Sequence, residues 1–315
     1  MTGLDLDDLR RVVDTALAED LRYGPDATTA ATVPEGAIAV GSFVARKPGV
    51  LAGLPAVCAV LDCVLGKGGV LGGGGGLREG GVLGGGGVLG TGGLGEGGYE
   101  VLDTRADGDR LRSGDVALTV RAPVRGLLTA ERTALNLLCH LSGVATATAA
   151  WVDAVAGTRA RIRDTRKTLP GLRLLEKYAV RCGGGTNHRL GLGDAVLIKD
   201  NHVAAAGSVG AALRAARELA PDLPCEVEVD SLAQLDELLA LAAELVLLDN
   251  FDVSDTAEAV RRRDAGAPGT GLESSGGLVL ANARAYAETG VDYISVGALT
   301  HSVTALDLGL DLWPG

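Results

Sequence analysis

The sequence predicts an α/β fold, in which a small α+β unit precedes a parallel sheet laced by crossover helices. Three observations carry that prediction. From about residue 158 a short β-rich segment is followed by a helical one, repeatedly, which is the order that parallel strands and their return helices impose. Charged residues and glycines of this half collect where the strands end. The composition is that of a packed chain, 47% apolar and 22% charged over 315 residues, with Leu, Val and Ala at regular spacing. That length suffices for two ordinary domains of about 100 to 150 residues.

Taken in order, residues 4–20 read as a helix, and 38–44, followed by Lys47-Pro48-Gly49, as a strand closed by a turn. Residues 99–104 and 115–121 read as strands, with Asp107-Gly108-Asp109 and Ser113-Gly114 as punctuation. Thr129 precedes an apolar run with Glu131 and Arg132 in its first turn. This predicts a helix capped by Thr129, running to about Leu141 and joining two domains. Beyond it, strands are predicted at 159–164, 195–199, 226–230, 245–249, 271–274 and 292–296, and helices at 172–181, 204–219, 232–243, 256–264 and 278–288. A single winding direction closes such a sheet into a barrel and a doubly wound one needs a switch point; alternation alone does not separate them.

Between residues 66 and 98, 20 of 33 residues are glycine, against 28 in the other 282. A phosphate-cradling loop holds its glycines at fixed spacing between a strand and a helix, whereas here Val-Leu and glycine simply repeat. The tract therefore predicts a surface insertion.

Charge and cysteine usage exclude several functions. A formal charge of −11 repels nucleic acid and anionic membranes. Asp5, Asp7 and Asp8 stand where an export signal needs basic residues, and the apolar run at 238–248 is cut by Glu244 and is too short for a bilayer. Five scattered cysteines with no C-x-x-C spacing indicate neither a disulfide framework nor a zinc knuckle. A cytoplasmic protein is the expectation.

Within this acidic chain, residues 159–199 hold ten Lys and Arg against three acids. Such a local reversal points to a small polyanionic ligand. Arg173, Lys177 and Arg181 read as charge on a helix surface. Arg166, Lys167 and Lys199 instead stand at strand ends, as do Glu228, Asp249, Ser274-Ser275-Gly276-Gly277 and Gly297. Polar residues at several strand ends describe a barrel mouth. Glu226, Glu228 and Asp230 alternate along one strand face and need compensation by Lys199, Arg166 or a metal, and Glu228 with Asp249 could hold Mg²⁺ through oxygen. Ser275-Gly276-Gly277 ahead of a helix beginning near Leu278, and Gly297 on the last strand, match the phosphate site of such barrels. His188 and Arg189 follow three glycines that allow close backbone approach. His140, on an apolar helix, reads as a core or interface residue, and four histidines without H-E-x-x-H argue against zinc.

The motifs ERTALN (131–136), DTRKTLPGLRLLEKYAVRCGGGTNHRLGL (164–192), LIKDNH (197–202), EVEV (226–229), LDN (248–250), ESSGG (273–277) and GALTHS (297–302) resemble the quinolinate phosphoribosyltransferase family. The resemblance covers nearly the whole chain outside the glycine tract. It departs at Gly24-Pro25-Asp26, at Phe251 where methionine is usual, and at Ser274 where alanine is usual. It implies an open (β/α) barrel of about seven strands at 142–301 and an N-terminal α/β sandwich at 1–141, the latter carrying the insertion at 66–98 and completed by 302–315. It also implies a homodimer, with assembly beyond the dimer left open. Arg132 would reach the neighbouring site and join Arg166, His188, Arg189, Lys167 and Lys199 around quinolinate. Glu228 and Asp249 would serve the ribose and Mg²⁺, and Ser275, Gly276, Gly277 and Gly297 the 5′-phosphate of phosphoribosyl pyrophosphate, with His301 close by. Lys167, Lys199, Glu228 and Asp249 are the implied catalytic set. The implied reaction gives nicotinate mononucleotide, pyrophosphate and CO₂ on the route to NAD. The alternatives are a nicotinate-using transferase of the same fold that releases no CO₂, and a non-catalytic anion-binding protein.

Overall fold

The computed structural model describes residues 4–66 and 98–314; the predicted insertion, apart from its two end residues, lies outside them. The described chain forms two compact units. The first holds the chain up to Ala147, Leu169–Gly184 and the chain from Ser302, and the second holds Thr148–Thr168 and Gly185–His301.

The first unit is built on helices α1 (Leu6–Asp20), α2 (Ala27–Thr32) and α3 (Leu54–Leu65), strands β1 (Ile38–Ala45), β2 (Gly49–Val50), β3 (Glu100–Thr104), β4 (Arg110–Leu111) and β5 (Val116–Pro123), and most of the 31-residue helix α4 (Val124–Ala154). Asp5 and Asp26 start α1 and α2 by accepting the backbone N–H groups of Asp8 and Thr29, each at 2.9 Å. An antiparallel sheet is completed by the last strand of the chain, Leu308–Pro314, which pairs with β1, while β5 pairs with the other side of β1 and β3 with β5. Phe43, Leu118, Val57, Leu61 and Leu138 fill its core with at most 1% exposure. α5 (Arg173–Cys182) belongs to this unit although it lies between two strands of the other in sequence.

α4 is longer than the 129–141 expectation and begins directly after β5. Thr129 is not its cap: its hydroxyl donates to the Arg125 carbonyl one turn earlier, as a threonine inside a helix does. α4 is long and apolar enough to cross a membrane by length and composition, but 61% of its most apolar window is buried in the protein, as in a core helix. Lys177, expected on a helix surface, is fully buried, because α5 turns the side carrying Leu175, Glu176, Lys177 and Ala179 inward. His140 Nε2 lies 2.9 Å from Glu176 Oε1, consistent with a core role.

The second unit is a parallel sheet in the order β6 (Arg161–Arg163), β11 (Tyr293–Ser295), β10 (Gly271–Ser275), β9 (Leu245–Asp249), β8 (Cys225–Val229) and β7 (Val196–Ile198). The helices between are α6 (Asp200–Ala206), α7 (Val209–Leu219), α8 (Leu232–Ala240), α9 (Val253–Gly266) and α10 (Ala283–Glu288), followed by the single turn α11 (Ala298–His301). Thr186 forms an isolated parallel bridge with Arg163, its N–H donating to the Ile162 carbonyl at 2.8 Å. The open barrel thus comprises six strands and this one bridging residue where a seventh strand was implied. Side chains alternate along each strand. Ile162, Val227, Val246, Leu248, Leu272 and Ile294 are at most 1% exposed on one face, and Arg163, Glu226, Glu228, Leu247, Asp249, Glu273 and Ser275 share the other.

Two helices differ from expectation for a local reason. The helix at 204–219 is split into α6 and α7 by Gly207, at φ +93°, after which Ser208 caps α7 through the Ala211 N–H. The helix expected from Leu278 begins only with a 3₁₀ turn at Leu280–Asn282, so a loop separates Gly277 from it.

At Gly143 in α4 a Cβ would stand 2.5 Å from the Thr304 carbonyl oxygen and 3.0 Å from Ala305 Cα, both backbone atoms. Gly143→Ala gains about 1 kcal/mol of helix propensity and loses about 1–3 kcal/mol to the forced shift of the 304–305 segment. The expected result is a net loss of stability in chemical denaturation.

Candidate active site

The C-terminal ends of the parallel strands surround a cavity of about 420 Å³. Its walls carry Thr165, Arg166 and Lys167 after β6, His188 and Arg189 after Thr186, Lys199 after β7, Glu228 of β8, Asp249 of β9, and Ser275 and Gly276 at the end of β10. The two basic loops are brought together by Asp164, which is fully buried and accepts the His188 backbone N–H at 2.7 Å and the Asn187 amide at 2.6 Å. A carboxylate satisfied in this way is an anchor rather than a reacting group.

The cations of the cavity are only partly compensated. Arg166 Nε and Arg189 Nε are buried and have no hydrogen-bond partner among the described residues. Burial, then the charge of nearby Arg166, lowers the Arg189 pKa, so the two guanidinium groups sense one another. Lys199 Nζ donates to Glu228 Oε2. Asp249 accepts the side-chain amide of Asn250 at 2.8 Å. Lys167 is exposed, its backbone N–H held by Thr165 Oγ1 at 3.0 Å and its carbonyl by Thr300 Oγ1 at 2.7 Å.

Two tight turns shape the rim. Gly276 has φ +89°, and a Cβ there would stand 2.3 Å from Asn250 Oδ1. Asn250 is itself left-handed at φ 57° and donates its N–H to the Ser275 carbonyl at 2.8 Å. Only glycine meets both demands at 276. At Gly297 a Cβ would stand 2.9 Å from Lys167 Cδ and 3.4 Å from His301 Nε2, so this glycine lets those two side chains converge.

One layer deeper, roughly 6.6 Å down the strands by the rise of two residues, lies a buried charged floor. Arg163 Nη1 is 2.5 Å from Glu273 Oε2 and 3.9 Å from Glu226 Oε2, and its guanidinium carbon sits 4.6 Å from the centre of the Tyr293 ring. His188 Nε2 is 2.9 Å from Glu226 Oε2. Burial pushes both carboxyls up to about 7; Arg163 opposes this for Glu226, and the neighbouring Glu226 adds to it for Glu273. His188, Glu226 and Glu273 are close enough to surround a metal ion, but the Arg163 guanidinium already supplies the cation there. Glu226 is therefore compensated by Arg163 and His188, and Lys199 serves Glu228 instead. Asp230 lies exposed beyond β8 and takes no part.

Residues 144–311 match the profile of the quinolinate phosphoribosyl transferase C-terminal domain, and residues 78–142 that of its N-terminal domain. The chain is 59% identical over 312 residues to a carboxylating nicotinate-nucleotide pyrophosphorylase from Mycobacterium leprae, covering 99% of this chain and all of that one. The chain belongs to the quinolinate phosphoribosyltransferase family. Solved structures agree: NadC from Streptococcus pyogenes has 37% identity and a TM-score of 0.82, covering 99% of this chain and all of that one. The nicotinate-nucleotide pyrophosphorylase of Francisella tularensis has 33% identity and a TM-score of 0.82, covering 99% and 98%.

Most of the residues that the family resemblance singled out converge on this cavity. Gly297 and His301 adjoin it through Lys167, and Gly277 follows the lining Gly276. Arg132 belongs to the other unit, exposed on α4. Sequence reasoning did not single out Arg163 or Glu273, although the alternation of Glu273 with Ser275 across β10 was available as a signal. Ser274, where the family usually has alanine, points to the packed face, and its Oγ is buried with no partner among the described residues.

Two measurements follow from this geometry. Gly297→Ala displaces Lys167 and is expected to lower kcat/KM by about tenfold or more, with little change in Tm because the obstructed atom belongs to a flexible side chain. Glu273 has a folded pKa raised from 4.5 to about 7, so its proton stabilises the fold below about pH 4.5 and that contribution is lost as pH rises through about 7. Wild-type stability should fall over that window by up to roughly 3 kcal/mol, and Glu273→Gln should flatten the fall in unfolding curves recorded from pH 5 to 8.

Proposed function

We propose that this cavity joins quinolinate to phosphoribosyl pyrophosphate, with the residues above in stated roles. The reaction is that of the family: phosphoribosyl transfer to quinolinate with decarboxylation in NAD synthesis. The observation that carries the assignment of roles is the pair of guanidinium groups, Arg166 and Arg189, each with a buried Nε–H beside the same cavity that has no partner among the described residues. Two adjacent carboxylates on one ring suit two such forks, which bind carboxylate through paired N–H donors. Arg166, Arg189 and His188 surround quinolinate, with Lys167 and Lys199 completing the positive wall.

The pyridine nitrogen then faces the anomeric carbon of the ribose. As the bond from that carbon to pyrophosphate breaks, positive charge grows on the ribose ring, and the carboxylates of Glu228 and Asp249 stabilise it. Lys167 and Lys199 offset the charge on the leaving pyrophosphate, and Lys199 exchanges its Glu228 partner for that anion. Ser275, Gly276, Gly277 and Gly297 offer close backbone approach to the 5′-phosphate, with His301 alongside. The new nitrogen–carbon bond leaves the ring nitrogen positively charged. That charge stabilises the electron pair left on the adjacent ring carbon when the carbon–carboxylate bond breaks and CO₂ departs, and that carbon takes a proton from solvent to complete nicotinate mononucleotide.

Glu228 and Asp249 fit Mg²⁺ by donor chemistry: two hard oxygen groups on adjacent strands facing one cavity. Among the described residues no third His, Cys, Asp or Glu side chain joins them in a metal-sized cluster, which suits an ion that keeps waters and binds substrate phosphate. When bound, it supplies charge neutralisation of the pyrophosphate. Arg132 is read as the contribution of a partner subunit in a homodimer, on the family resemblance and its exposure on α4.

Quinolinate labelled in its 2-carboxylate should release labelled CO₂ only when phosphoribosyl pyrophosphate is present. Turnover of nicotinate without CO₂ would favour the non-decarboxylating alternative, and binding without pyrophosphate release the non-catalytic one. Arg132→Ala and Lys167→Ala chains, each impaired alone, should regain activity on mixing and subunit exchange; no regain in verified heterodimers would refute the shared site.

A further inference from the structure

His188 lines the cavity, yet both of its ring nitrogens are engaged by the protein. Nδ1 accepts the Arg189 backbone N–H at 2.8 Å, which puts the ring proton on Nε2, 2.9 Å from Glu226 Oε2. Glu226 is in turn shared with Arg163, and Arg163 is paired with Glu273. His188, Glu226 and Glu273 are 8%, 4% and 0% exposed and the Arg163 side chain 14%, so most of this chain of contacts is withdrawn from water at the base of the cavity. A substrate carboxylate arriving from the cavity meets a ring whose N–H points away from it.

We propose that Glu226, Glu273 and Arg163 are positioning residues that lock His188 in its Nε2–H form and, through its Nδ1, fix Arg189 at the quinolinate subsite. The clamp on the Arg189 backbone matters because its guanidinium is held loosely by the protein, by a 3.3 Å bond from Nη1 to the Ala195 carbonyl. A freed His188 ring could turn or change tautomer, and a ring with its proton on Nδ1 cannot accept the Arg189 N–H. The floor therefore trades a costly burial of charge for a fixed donor at the mouth. This inference rests on the functional reading above and deepens it at one subsite.

The test combines kinetics with the histidine spectrum of the wild-type protein. Glu226→Ala should raise the KM for quinolinate about tenfold or more and leave the KM for phosphoribosyl pyrophosphate within about twofold. Glu226→Gln keeps an oxygen that accepts the Nε2–H, so it should return the quinolinate KM to within about threefold of wild type. In ¹⁵N-histidine spectra of the wild type, with His188 assigned among the four histidines by His188→Gln, its ring should appear neutral and protonated at Nε2. Equal rises in both KM values, glutamine no better than alanine, or a His188 proton on Nδ1 would each overturn the proposal. The spectrum decides the matter if the alanine variant does not fold. Failure of the functional reading has a different signature, since the wild type would then not turn over quinolinate at all.

Discussion

The proposed function of this cavity depends on two guanidinium groups, Arg166 and Arg189, each with a buried Nε–H that finds no partner among the described residues. Burial and then the charge of Arg166 lower the Arg189 pKa, so the two groups repel one another across the cavity. Such an arrangement disfavours the free protein and rewards an anion, most of all one with two neighbouring charges. The reaction then needs little else from the protein: positioning, and carboxylates placed where positive charge develops.

That repulsion must be borne by something rigid, and the barrel supplies it in layers. Alternation along the strands puts apolar residues on one face and, on the other, a buried charged layer beneath a polar mouth. In the lower layer one arginine meets two carboxyls, and burial raises the pKa of both acids. In the upper layer Lys199 and Glu228 pair at the water-facing rim, where a ligand can exchange for either partner. Backbone contact does the rest, since Asp164 binds the 187–188 segment and Gly297 lets Lys167 and His301 converge.

Much of this was legible in the sequence because burial on a parallel strand leaves a plain trace: a short apolar run that ends in a charged residue or a glycine. Strand limits at 225–229, 245–249 and 271–275 fell within a residue of expectation for that reason. Helix limits were harder. Thr129 resembles a cap locally, yet the apolar faces of α4 are met on both sides of it, so tertiary burial extends the helix to 31 residues. α3 was overlooked beside the glycine tract, although Pro55 near its start and Gly53 at φ +110° are helix-start signals. Arg163, Glu273 and Lys177 were misjudged or missed because charge predicts exposure, and only the neighbours brought in by the fold make its burial tolerable.

The claim that matters most is that two crowded arginines select a dianion, and calorimetric titration tests it directly. The account predicts that quinolinate binds the wild type at least about tenfold more tightly than nicotinate, which has one carboxylate fewer, and that this preference vanishes in an Arg166→Ala, Arg189→Ala double variant that keeps its fold. Equal affinity for the two acids in the wild type, or an undiminished preference in the double variant, would contradict it.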